Sequence, residues 1–148
     1  FSTPAVGYFA GNFLSGRFST RIGVNRMVLW GCIINGGGVL LSLLIAMGRA
    51  DTVYTFFGLM CFVGLGNGMA IPNATAGAIS VRPHLAGTAS GLSGAIMIGA
   101  GAALSAFAGM LLVPGSTAVP LLAIMFATAI CGLVAILLVV WRERQIGA

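Results

Sequence analysis

The sequence contains no lysine, and its only acids are Asp51 and Glu143. Charged residues make up 6% of the 148, against roughly a quarter in an ordinary soluble domain. Hydrophobic residues make up 59% and the mean hydropathy is +1.09, so the composition is that of an integral membrane protein. Both acids flank apolar runs and neither lies inside one, so the chain has no carboxylate at membrane depth that could relay protons. Histidine occurs once, at His84. Cys32, Cys61 and Cys131 stand singly in apolar runs without a C-x-x-C, so they read as small buried hydrophobes and not as a disulfide framework or a metal site. Nucleophile, base and metal ligands do not face one another anywhere in this inventory, which argues against an enzyme and calls for no bound cofactor.

The net charge of +5 rests entirely on arginine. In a soluble domain such an excess would suggest nucleic acid, but here the arginines sit at the ends of apolar runs, where they face lipid headgroups. The partner they imply is the bilayer. Phe1–Ser15 is about 22 Å long as a helix and reads as the latter part of a span. Met27–Met47 is about 31 Å, enough to cross the hydrocarbon core. Further helices are expected at Val53–Pro72, Leu85–Leu112 and Val119–Trp141, which gives an all-α membrane bundle of one partial and four full spans. Trp30 and Tyr54 stand where an aromatic belt would. Pro72 predicts a kink or a thinning of its helix. On this topology Arg17, Arg21, Arg26, Arg82, Arg142 and Arg144 share one side and Arg49 lies on the other, with Asp51 beside it. The bias makes the six-arginine side, and the C-terminal tail, cytoplasmic. The opening residue is not Met and already reads as helix interior, without a basic leader, so the sequence is expected to be a fragment lacking its N-terminal part.

Between the first two apolar runs lies Gly11–Arg26, GNFLSGRFSTRIGVNR, read as a short basic loop. Its Gly16-x-Phe18-Ser19-Thr20-Arg21-Ile22-Gly23-x-x-Arg26 resembles the loop motif G-x-L-A-D-R-x-G-R of major facilitator superfamily transporters. Thr20 stands where the family usually carries an acid, which would weaken part of the motif's charge network. Gly64-Leu65-Gly66-Asn67-Gly68, Pro72-Asn73-Ala74 and Ala86-Gly87-Thr88-Ala89-Ser90-Gly91-Leu92 are similar to the tenth and eleventh helices of drug/proton antiporters, in the bicyclomycin-resistance branch (Bcr/CflA type). The resemblance covers nearly the whole chain, from late helix eight through helix twelve of a twelve-helix fold. It implies proton-coupled multidrug efflux, and hence antibiotic resistance, across a bacterial inner membrane. The substrates would be small and amphipathic, and the proton would be the coupling ion. This C-terminal bundle would rock against a missing N-terminal bundle of the same chain.

The resemblance also implies that Phe1–Ser15, Val53–Ala70 and Leu85–Leu112 line the substrate cavity, with Met27–Met47 and Val119–Trp141 as outer supports. The cavity candidates are then Asn67, Asn73, Phe57, Met60, Ser90 and Met97. Asn67 either bonds a neighbouring helix or faces the cavity, because a lone amide in an apolar run is costly. Asn73 is expected to satisfy backbone freed by Pro72. Gly16, Thr20, Arg21, Gly23 and Arg26 form the gating loop. Gly87, Gly91, Gly94 and Gly99, in pairs of small residues four apart, predict close helix packing. Gly91-Leu92-Ser93-Gly94 also matches the G-x-S-G of rhomboid intramembrane proteases, but that chemistry needs a later base and His84 precedes the serine. A sugar or metabolite carrier of the same superfamily and a non-transporting membrane subunit are the alternatives to an exporter.

Overall fold

The computed structural model describes residues 2–48, 53–112 and 117–146. They form five α-helices: α1 (Thr3–Ile22), α2 (Val24–Met47), α3 (Val53–Ser80), α4 (Ala86–Leu111) and α5 (Val119–Ile146), with a 3-10 turn at Pro83–Leu85 before α4. Spans at Val24–Met47, Phe56–Ser80, Pro83–Leu111 and Val119–Gln145 are long and apolar enough to cross a membrane.

The bundle is built around α3. Its Gly64 and Gly68 are four residues apart and share a face, whereas Gly66 lies about 200° round from Gly64 and points the other way. Gly64 and Gly68 meet the backbone of α1 at Pro4, Tyr8 and Gly11, and Gly66 meets α2 at Gly31 and Asn35. Gly7 and Gly11 on α1 and Gly31 and Gly38 on α2 return the contact. Without side chains at these points the helix backbones approach one another directly, which is how helices associate where lipid gives no hydrophobic drive. The order of contacts makes α1 parallel to α3, and α2 antiparallel to both α3 and α5. Ala46, Met60 and Leu122 join α2, α3 and α5 in a core at the end of the bundle away from the arginines, with Leu122 fully buried.

Two expectations about local structure are corrected. The basic stretch is not a loop: Ser, Thr and Arg can all continue a helix, so α1 runs through Thr20 and Arg21 to Ile22 and α2 starts at Val24. Only Gly23 breaks the helix, at φ +95° and ψ 143°, a conformation that glycine adopts without steric cost. Pro72 does not end its helix, which continues to Ser80. Gly87, Gly91, Gly94 and Gly99 each face open space, and among the described residues of α4 only Ala108 is buried. Spacing creates a face on which a partner can pack, but it does not supply the partner.

Gly66→Ala should therefore destabilise the purified protein. The added methyl would lie 2.5 Å from the Gly31 carbonyl oxygen and 2.7 Å from Asn35 Cβ. The expected loss is about 1–3 kcal/mol, and Gly91→Ala should change stability by less than about 0.5 kcal/mol. Equilibrium unfolding in mixed detergent compares the two.

Candidate functional site

Asn35 lies about 17 Å along α2 and Asn67 about 20 Å along α3, so both amides sit at mid-membrane depth. They face each other because Gly31 and Gly66 bring the two backbones together beside them. Asn35 Nδ2 donates to Asn67 Oδ1 at 3.2 Å. Asn35 Oδ1 is buried and has no hydrogen-bond partner among the described residues. The pair borders a chamber of about 340 Å³ between α2, α3 and α5, whose walls include Cys32, Val63, Met125 and Thr128. Thr128 Oγ1 donates to the Met125 carbonyl at 2.9 Å and keeps lone pairs to accept with.

A larger chamber of about 940 Å³ lies between the same three helices toward the arginine end. Its walls are mostly apolar, among them Val28, Ala74 and Ile136, and Arg26 and Glu143 also line it. Asn25 Nδ2 donates to Glu143 Oε1, which ties the start of α2 to the end of α5. Glu143 is the only acid among the described residues, and it is exposed. Arg17 and Arg21 near the end of α1, Arg26 on α2, Arg82 after α3, and Arg142 and Arg144 on α5 gather at this one end of the bundle, all exposed. Arg49 and Asp51 lie outside the described residues.

The six cavity candidates do not share a chamber. Asn67 bonds α2 and lines the inner one. Asn73 is 3% exposed; its Nδ2 donates to Ser15 Oγ on α1 at 2.6 Å and to the Met69 carbonyl at 2.7 Å. Pro72 lacks an N–H and so frees the carbonyl of Gly68, one residue before the one that Asn73 engages. Asn73 therefore acts mainly as a clamp between α1 and α3. Met60 belongs to the core at the far end, and Phe57 stacks edge-on to Phe56 with ring centroids 5.5 Å apart. Ser90 donates to the carbonyl of Gly87 within α4, and Met97 is 55% exposed on the same helix. In the basic stretch, Gly16 faces open space, Thr20 and Arg21 are exposed on α1, Gly23 is the joint and Arg26 borders the outer chamber.

Two of the three helices around the chambers, α2 and α5, are those that the resemblance assigns to outer support. Ser15, Asn25 and Thr128 are polar residues that the sequence reading missed. Asn35, beside Gly36-Gly37-Gly38 at the middle of its apolar run, reads in the sequence as a sign of close packing or a kink, and α2 does approach α3 closely at Gly31 and Gly38. No protein-family model, curated protein or solved structure matches the chain. A functional reading therefore rests on the residues and the geometry above.

Asn67→Leu should cost about 1–3 kcal/mol, because it removes the hydrogen-bond partner that the half-buried Asn35 amide has among the described residues. Replacing both amides, Asn35→Leu with Asn67→Leu, should cost less than the single change, because no orphaned polar group remains. Unfolding titrations of the three proteins test the order.

Proposed function

We propose that the chain is a helix bundle of a membrane transporter, which exports small amphipathic compounds in exchange for protons by alternating access. The reading keeps the resemblance to the bicyclomycin-resistance branch of the major facilitator superfamily and assigns the protein to a bacterial inner membrane, with the arginine end and the C-terminus in the cytoplasm. The observation that carries it is the joint at Gly23. There the motif residues Arg21 and Arg26 flank a one-residue break between two helices that grip α3 from opposite faces. Movement at that joint must change how α1 and α2 sit on α3, so charges held at the joint can bias one arrangement over another.

The broad apolar surface also suits this role. α4 carries small residues on an open face, against which a second bundle could slide closely. The interior offers amides, a hydroxyl and apolar walls with no fixed charge at mid-depth, which favours recognition by shape and a few hydrogen bonds. Glu143 lies at the water interface and cannot serve as a mid-membrane proton carrier, so the coupling acid in this reading belongs to the partner bundle.

The test is dye efflux. Efflux-deficient bacteria expressing the full reading frame should accumulate less of a lipophilic cationic dye than cells with an empty vector, and a protonophore should abolish the difference. Arg21→Ala should slow efflux about fivefold or more at equal membrane expression, the lower end of a typical coupling between two states. Equal accumulation with and without the protein would overturn the exporter reading. Normal efflux by Arg21→Ala would remove the gating role of the joint.

A further inference from the structure

The two chambers between α2, α3 and α5 meet at a shared wall: Cys32, Ala70 and Gly132 line both. All three are small, and they separate the outer chamber at the arginine end from the inner chamber at mid-membrane. Cys32 and Asn35 are three residues apart on α2 and so lie on one helix face. Asn35 Oδ1 is the buried acceptor that lacks a partner among the described residues. An acceptor in hydrocarbon surroundings with no donor is costly, and the cost is recovered when a donor arrives. The inner chamber adds acceptor oxygens at Asn67 and Thr128 and no charged group, so it suits an uncharged donor.

We propose that the two chambers form one ligand passage, entered at the arginine end, in which a small uncharged molecule passes Cys32 and gives an O–H or N–H to Asn35. The outer chamber holds the apolar part of such a molecule and the inner chamber takes its polar end. An inner volume of about 340 Å³ lies at the lower end of the range for small-molecule sites. Two of the three helices around the passage, α2 and α5, are those that the transporter resemblance treats as supports, and the passage does not rest on the transport reading.

Cys32 is a built-in reporter. The full chain in lipid nanodiscs is treated with either of two similar-sized neutral thiol reagents, 2-hydroxyethyl methanethiosulfonate or n-propyl methanethiosulfonate. Each forms a mixed disulfide with the thiol and releases methanesulfinate, and only the first carries a donor. Peptide mass spectrometry follows Cys32, with the exposed Cys131 of the same molecule correcting for reagent partition into lipid. Relative to Cys131, the hydroxyethyl reagent should modify Cys32 about fivefold faster than the propyl reagent, the worth of one neutral hydrogen bond. Asn35→Leu should erase that preference, and so should the double Asn35→Leu, Asn67→Leu protein, which leaves no orphaned amide to threaten folding. Ala74→Phe, a change at an exposed position in the outer chamber, should slow both reagents at Cys32 and neither at Cys131.

Cys32 that reacts only after denaturation would overturn the passage. Equal corrected rates for the two reagents, or a preference that survives loss of Asn35, would overturn the docking role. An unchanged rate in Ala74→Phe would overturn entry from the arginine end. None of these readouts requires transport, so absent dye efflux with the expected labelling would sink the exporter reading and leave the passage standing.

Discussion

Everything in this bundle depends on the backbone of α3 being approachable from two sides. A helix in lipid gains little by covering apolar side chains with other apolar side chains, because the lipid covers them equally well. What distinguishes a protein neighbour is close, extensive contact between surfaces that fit. Gly64, Gly66 and Gly68, two residues apart, place one gap toward α2 between two gaps toward α1. One five-residue stretch thus sets both neighbours of the central helix and their depth relative to it. The one-residue joint at Gly23 works only because of this arrangement, since it lets α1 and α2 pass on either side of α3 with almost no connecting chain.

The buried polar groups follow from the same contact. Asn35 and Asn67 lie beside the Gly31–Gly66 approach, and Ser15 and Asn73 lie one turn beyond the Gly11–Gly68 approach. A short side chain can bond across an interface only where the backbones are near enough, so the glycines determine which amides find partners. In return, each bond fixes the register of its helix pair, because sliding by one residue would leave a buried amide unpaired. Glycine supplies proximity and asparagine supplies position.

The hydropathy of the chain made the four long apolar helices and their order legible, and the clustering of arginine identified one end of the bundle. The helix ends were less legible. Polar residues mark where a chain meets water, whereas a helix stops where a backbone angle changes; at the first junction those points differ by seven residues, from Ser15 to Ile22. The small residues of α4 show that spacing records only the capacity to pack. The same spacing elsewhere is matched by glycines on a partner helix, which Gly87, Gly91, Gly94 and Gly99 lack. Asn67 could be recognised as a residue in need of a partner, but Asn35 lies 32 positions away, and only the antiparallel packing of α2 on α3 brings them together.

The distribution of charge constrains the kind of work this bundle can do. Its described acid and the six arginines at one end all lie in water, and at mid-depth the polar groups are amides and hydroxyls that hold no net charge at any ordinary pH. A carboxylate in the position of Asn67 would carry a desolvation cost of several kcal/mol, or else take up a proton. An amide avoids that penalty, and with it any response to pH. What the described interior presents is therefore shape and hydrogen-bonding groups. The connections through which movement at the charged end can reach these helices are the Gly23 joint and the bond from Asn25 to Glu143 that fastens the start of α2 to the end of α5.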